Sequence, residues 1–531
     1  MKKRVSQIVA CLLALTLVLS ACAQGGGGTA GTVPTGDADM GEFWIGNYTL
    51  SKWVPFAGPS RERIASFAEN LAYIEKQRQT GVTINWIHPP AGEEATHFSV
   101  MMAALDLPDL IQEADRHRGG IGAGVHEGLF VRLNELAEQY APNYMRLVNY
   151  NEHTRREAFT DDGYLLGFGM FVSDRLGDDW SLNIENPWPG PFIRYDWLQE
   201  LGLGVPETID EWEVALKGFR DTFNPEVPLH IYYRGWNLTS GGFLSAFDTG
   251  PAWIQRDGQV SWGFAEPGFG DYLRTMARWF EEGLIDPEFM TRAGADVTAM
   301  AMRGDLGARM HESTAFPLTL EPEGIHMVGA PMPRLAAGSP PVGWTFRNNW
   351  IRGQWTVVTS LSDHPEVAVR WMDWNYSIEG TNILNFGPQG VTFDEFDDMG
   401  RPIYFEEWGG LNFDLTNNVF RIHNGPHLLS SLRNNPRRSM EHLESFRNIW
   451  EEQSFHAHLR MPPVTMTAEE GAEYASIMVD ADALRDEFTI GVITGVIPVS
   501  ELDTYFANLE AFGIGRAAEI QQAALERFMA R

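Results

Sequence analysis

The chain has 531 residues, and its 40 Lys and Arg against 71 Asp and Glu leave a formal net charge of −31. With 44% hydrophobic and 21% charged residues, it has a globular composition and not a disordered one, at a length for two large lobes or three ordinary domains. So acidic a chain repels phosphate backbones and anionic lipid heads, which argues against nucleic acid as a partner and against a polybasic membrane attachment.

Lys2, Lys3 and Arg4 precede an apolar run from Ile8 to Leu19, far short of the ~20 residues that span a bilayer as a helix. The pattern reads as a signal peptide over 1–21, not a transmembrane anchor. Leu19-Ser20-Ala21-Cys22 resembles the bacterial lipobox, which makes Cys22 the lipidated residue. Cys11 then leaves with the signal and Cys22 becomes a thioether, so cysteine nucleophiles and cysteine metal sites are excluded. Residues 22–40, rich in Gly, Thr and Asp, read as a flexible tether with a reach of ~20–25 Å. The expected location is the cell surface, lipid-anchored to the outer face of the cytoplasmic membrane.

From Glu42 onward strands alternate with amphipathic helices. Phe43-Trp44-Ile45 is predicted as a first short strand. Ile64, Phe67, Leu71 and Ile74 recur at helical spacing up to a stop at Gly81. Val82–Ile87 alternates as a strand, His97–Leu105 is helical, and Pro108–Ile111 is a further strand. That order predicts a parallel α/β sheet. Farther on, Thr208 with Glu211, Asp363 with Glu366 and Thr467 with Glu470 each read as a capping box, and Asp257-Gly258 as a hairpin turn.

The chain carries no GxxxxGK[ST], HExxH or GxSxG motif. His456 and His458 lack a third ligand at metal spacing and read as a polar loop. Asp394, Glu395, Asp397 and Asp398 lack the spacing of an EF-hand, and Asp480 with Asp482 reads as a helix face. No metal and no cofactor is therefore expected. Of the 18 Trp, Trp212, Trp371 and Trp374 lie on predicted helices. Trp53, Trp188, Trp236, Trp344 and Trp350 lie beside Gly, Asn and Pro in predicted loops. Indoles with neighbouring Asn and Arg are the equipment of a sugar platform: plates for the C–H face of a ring and polar groups for its hydroxyls.

Several stretches resemble the lipid-anchored solute-binding proteins of bacterial carbohydrate ABC importers, in the long-chain subgroup of oligosaccharide and alginate binders. Residues 69–111 (ENLAYIEKQRQTGVTINWIHPPAGEEATHFSVMMAALDLPDLI) are similar to the subgroup's opening, and 193–212 (IRYDWLQELGLGVPETIDEW) to its most specific motif. Residues 279–289, 363–394 and 467–528 continue the likeness in the same order. Two departures stand out. Where relatives carry a calcium loop of the type DxNGNGxxDEIP, this chain has the shortened Asp221-Thr-Phe-Asn-Pro-Glu-Val-Pro228. Gln389 in FGPQGV replaces a usual Glu.

The resemblance implies a two-lobed, periplasmic-binding-protein-like α/β fold of type II, with a ligand cleft between lobes joined by a multi-crossing hinge. Lobe 1 is expected over 41–167 and 331–390, and lobe 2 over 168–330 and 391–531. Ligands of open parallel sheets lie beyond the carboxyl ends of the strands. That nominates Tyr48 and Trp53, His88, and Gln112 with Glu113. The family's strand entering the cleft nominates His311 and Glu312, and the loops add Trp188, Trp236, Trp344, Asn348, Trp350 and Gln389. The implied function is capture of an oligosaccharide for an importer permease, by a monomer that is no enzyme. A secreted glycoside hydrolase with two carboxylates, or a peptide binder on the same scaffold, is the alternative.

Overall fold

The computed structural model describes residues 41–56, 59–173, 181–183, 190–232, 238, 242–311, 316–339, 349–398, 400–409, 417–433, 449–450 and 459–531. Two mixed sheets organise it. The first contains Tyr48–Trp53 in parallel register with Val82–Ile87 on one side and Leu110–Gln112 on the other; Thr356–Val358 closes the outer edge antiparallel to Leu110–Gln112. The helix Leu71–Thr80 starts where the Asn70 side chain accepts from Tyr73 N–H. It stops at Gly81, whose φ of +74° is the left-handed conformation that favours glycine.

The first strand differs from the sequence reading. Phe43-Trp44-Ile45 forms no strand, and the pairing belongs to Tyr48–Trp53. The predicted run is three residues long and ends at Gly46. The six-residue strand pairs along its whole length, with Tyr48 beside Val82 and Trp53 beside Ile87.

Two lysines are buried in this half. Lys76 Nζ donates to Asn375 Oδ1 at 2.5 Å and stands 3.2 Å over the Trp371 ring. Lys52 Nζ lies 5.8 Å from the Trp371 ring and 5.9 Å from that of Trp86. Burial lowers the Lys52 pKa from the usual 10.5 to about 7, and lowers that of Lys76 with help from the neighbouring Lys52.

The second sheet runs in the order Met327–Gly329, Gly190–Arg194, Leu306–His311, Val227–His230. Leu306–His311 is parallel to Val227–His230 and antiparallel to Gly190–Arg194. The helix Ile209–Phe223 covers it, opened by the Thr208–Glu211 capping box and packed through Trp212, Leu216 and Phe219. Asp257 and Gly258 turn a hairpin between Trp253–Arg256 and Gln259–Trp262. The helix Ala468–Ile493 has its Thr467–Glu470 capping box, but Asp363–Glu366 forms none. There Pro365 occupies the first helical position, so His364 becomes the N-cap residue, without a side-chain cap.

Between the sheets the chain crosses several times. Phe168 and Thr356 exchange backbone hydrogen bonds of 2.9 Å, and Arg352 N–H donates to Met170 at 2.7 Å. Leu428–Ser430 lies parallel to Phe171–Ser173 beside them. The close approach needs glycine: a Cβ on Gly167 would stand 2.7 Å from the Thr356 carbonyl oxygen. The stretch 417–433 is held by first-sheet helices: Leu71 N–H donates to Val419, Ile422 N–H to Leu384, and Asn385 Nδ2 to Leu428. The C-terminal helices Ala468–Ile493 and Ile514–Ala530 pack on the second sheet's side, while Arg527 and Arg531 reach back to pair with Asp161.

Candidate functional site

The carboxyl edge of the first sheet holds several sequence-nominated residues, but two of them are structural. Trp53 is fully buried, with Phe98 edge-on at 5.5 Å and its indole N–H donated to His97 Nδ1 at 3.1 Å. It is a core residue and not a ligand plate, because the helix Glu94–Ala104 lies across its ring. His88 pins neighbouring loops: Nδ1 donates to the Val54 carbonyl at 3.0 Å, and Nε2 accepts from Phe67 N–H at 3.3 Å. Burial lowers its pKa, so the ring is neutral. Tyr48 stands at the opposite, amino end of its strand, with His364 edge-on at 5.0 Å. Its place follows from the shifted first strand.

Gln112 lies against the crossing segments. Its Nε2 donates to Gln354 Oε1 at 3.4 Å, and a Cβ on Gly425 would stand 3.5 Å from its Oε1. Glu113 adopts φ +58° and pairs with Arg116. Gln389 sits apart in an exposed turn and donates to the Asp394 carbonyl at 2.7 Å. His311 ends the central strand of the second sheet. Cys22, Trp188, Trp236, Glu312, Trp344 and Asn348 lie outside the described residues, as do His456 and His458.

Where the segments cross, a cavity of about 180 Å³ opens, lined by Glu157, Leu166, Asn349, Arg352, Trp355 and Arg460 among others. Leu166 and Glu157 come from the first-sheet side. Arg460 forms an isolated backbone bridge with Ile254 of the Trp253–Arg256 hairpin. Glu157 Oε2 accepts from Ile351 N–H at 2.9 Å, and burial raises its pKa to about 7 against the pull of the Ile351 and Trp350 amides. Next to the cavity, Trp350 is half-buried and stacks on His153 at 6.1 Å with 7° between the rings. A plate, an amide, two guanidinium groups and one acid make a site able to bind a polar ring. Glu157, Arg352 and Arg460 escaped the sequence reading; their only signal is tertiary, a charged group buried at a crossing.

The carboxyl end of Val227–His230 carries a closed network. His230 Nδ1 lies 2.7 Å from Asp286 Oδ2, and Arg292 Nε donates to the same oxygen at 2.7 Å. Burial pushes the Asp286 carboxyl up, but the bonds from His230 and Arg292 outweigh it and hold the pKa at about 2. With His230 at 0% exposure this is architecture, not a reactive histidine.

At the place of the relatives' calcium loop, Asp221 is bound by Arg220 at 2.6 Å, and Glu226 by Arg292 at 2.9 Å and Arg303 at 3.3 Å. Arginine occupies the oxygens a cation would need. Among the described residues no cluster of three or more His, Cys, Asp or Glu is placed to hold a metal, and no helix is long and apolar enough to cross a membrane.

No family model matches the chain. The fructooligosaccharide ABC transporter substrate-binding protein FusA of Streptococcus pneumoniae is 22% identical over 340 residues, 61% of this chain and 60% of the relative. Lipoprotein LipO and the polygalacturonan/rhamnogalacturonan-binding protein YtcQ, both of Bacillus subtilis, are 22% identical over 49% and 44% of this chain. The match thus spans three-fifths or less of these curated relatives. Among solved structures, alginate-binding protein AlgQ2 without calcium ion superposes with a TM-score of 0.73 at 21% identity, covering 91% of this chain and 99% of that one. FusA in complex with kestose gives 0.72 at 19%, with the same coverage of 91% and 99%. FusA is by name an ABC-transporter substrate-binding protein, YtcQ and AlgQ2 are by name carbohydrate-binding proteins, and this chain has the two-domain α/β fold of the solved neighbours.

Proposed function

We propose that the chain is the substrate-binding component of a carbohydrate ABC importer, capturing an oligosaccharide at the hinge cavity and delivering it to the permease. The observation that carries this is the cavity itself. On a two-domain solute-binding fold, it puts Trp355 beside Asn349, Arg352 and Arg460 where the segments between the sheets cross. A sugar needs this mixture of plate and hydrogen-bonding rim. Closure of the lobes around the ligand would be a hinge transition, and the closed form is what a permease would recognise. Glu157 is the one acid among the described lining residues, whereas glycoside hydrolysis takes a pair of carboxylates; this favours binding over hydrolysis.

In this reading Gln112, Asn349, Trp350, Arg352, Trp355 and Arg460 form one wall of the site. Trp188, Trp236, His311, Glu312, Trp344 and Asn348 complete it on sequence grounds. The protein acts as a monomer held to the outer face of the membrane by lipid on Cys22. Lobe 1 comprises 41–167 and 331–390, and we add the stretch 417–433 to it for its contacts with the helices Leu71–Thr80 and Ile378–Phe386. The rest is lobe 2.

The test is calorimetric titration with a panel of oligosaccharides and a panel of peptides, beside an assay for reducing ends. Saturable binding of a glycan without new reducing ends supports the reading. Peptide binding alone, or release of reducing ends, overturns it.

A further inference from the structure

One short segment builds much of the cavity wall: Asn349, Ile351, Arg352, Gly353 and Trp355 all line it. Its backbone is held from two sides. On one side runs the crossing chain: Arg352 N–H donates to Met170, Met170 N–H donates to Gly353 at 3.1 Å, and Ile351 forms an antiparallel bridge with Phe171. On the other side the helix Glu152–Ala158 holds it through side chains.

That helix is itself fixed. Asn151 and Thr154 form its capping box, and Thr154 Oγ1 donates to the Val148 carbonyl at 2.9 Å. His153 and Glu157 are four residues apart, so they share one face of the helix. The His153 ring stacks on the Trp350 indole, while Glu157 Oε2 takes the Ile351 N–H and the Trp350 amide is the carboxyl's second donor. One turn of helix thus holds both the ring and the backbone of this stretch. Glu157 is 7% exposed, and burial raises its pKa while only the two amides lower it. Charged or titratable groups around it are His153, Arg155 and Arg156 on its own helix, Arg352 on the segment and Arg460 on the same wall; the crossing Leu166–Phe171 brings none. None of these is a cause of its shift. For the fold alone such an acid is a burden, which points to a use.

Resting on the oligosaccharide reading above, we propose that Glu157 is a positioning residue for sugar capture: by gripping the Trp350 and Ile351 amides it holds the Trp350 plate and sets the wall from Asn349 to Trp355 in the arrangement a sugar meets. A carboxylate accepts on both oxygens and can serve both amides. A protonated acid, or a glutamine, turns one arm into a donor that faces an N–H it cannot bond. The ionised form is therefore the one that grips. The hydroxyls of a bound sugar bring further donors to the wall, so capture does not disfavour that charge.

The test uses the full folded protein and the glycan that binds in the calorimetric panel, with affinity measured at about pH 5.5 and 8.5. The carboxyl, with its pKa at about 7, passes from mostly neutral to mostly charged across that range. Wild-type affinity rises by about fivefold, the difference in worth between a hydrogen bond to a charged and to a neutral acceptor. Glu157→Gln binds like the acid-pH wild type at both values and loses the rise. At the higher pH its segment 349–356 is also less protected against amide hydrogen exchange than in the wild type. Melting temperatures check the fold. A flat wild-type profile overturns the proposal. So does a rise that persists in Glu157→Gln, which would assign the titration to another group such as His153. If the segment loosens in Glu157→Gln while affinity and its pH profile stay as in the wild type, Glu157 only supports the fold, and the proposal is again overturned. All three outcomes leave the oligosaccharide reading standing. If no glycan binds the wild type, that reading has failed and the role assigned to Glu157 falls with it.

Discussion

Replacing Lys52 by methionine should stabilise the protein at neutral pH and flatten its stability profile on the alkaline side. Lys52 is 1% exposed, and burial brings its pKa from 10.5 to about 7. The unfolded chain therefore binds more protons than the folded one between about pH 7 and 10.5, and stability must rise with pH across that window. Below it both states are charged and the full cost is present; above it the cost is gone. At about 1.4 kcal/mol per pH unit the window is worth at most about 5 kcal/mol, nearly all of it still borne at pH 7. Methionine fills similar space without the amine. Urea unfolding of both proteins at pH 7, 8.5 and 10 measures the effect. The wild type should gain stability along the series. The variant should start higher and gain less, keeping the slopes of the other buried groups: Lys76 adds to the gain, while Tyr73, Tyr144 and Tyr376, whose pKa values burial raises, oppose it near pH 10. If Lys52→Met is instead less stable at pH 7 and the wild type shows no gain, the lysine is charged in the fold, held by the Trp86 and Trp371 rings, and the burial argument fails.

Glu157→Gln keeps an acceptor for Ile351 N–H but removes the ionisable group. The folded pKa of Glu157 is raised from 4.5 to about 7, so wild-type stability should fall as pH rises through that interval, and the glutamine variant should lose this component; thermal melts at pH 5 and 8 read it. Chelation by EDTA should leave the melting temperature unchanged, because Asp221 and Glu226 are taken by arginines; a drop reversed by Ca²⁺ would place a site elsewhere. Cys22→Ser should abolish lipidation and release the protein from the membrane fraction, and a variant that stays bound through high salt would refute the lipobox reading.

Much of the fold was legible because its signals are local. The capping boxes at Thr208 and Thr467, the stop at Gly81 and the Asp257-Gly258 turn depend on residues a few positions apart. Local signals also mislead where neighbours compete. Pro365 overrode the apparent box at Asp363, and three apolar residues at Phe43 looked more strand-like than the mixed run Tyr48–Trp53, whose pairing depends on partners over 30 residues away. The site was harder to read. Trp53 beside Val54 and Pro55 looks like a loop plate, and only the packing of Phe98 and His97 shows it to be core. Glu157, Arg352 and Arg460 are ordinary charges in the sequence. What singles them out is burial around one cavity, assembled from segments some 300 residues apart.

A crystal structure of the protein grown with the oligosaccharide it binds tests the site most directly. The expected result is a sugar ring over Trp355, with polar contacts to Asn349, Arg352 and Arg460 at the crossing segments. A glycan seated elsewhere, with this cavity holding only water, would contradict the assignment of this cavity as the sugar site.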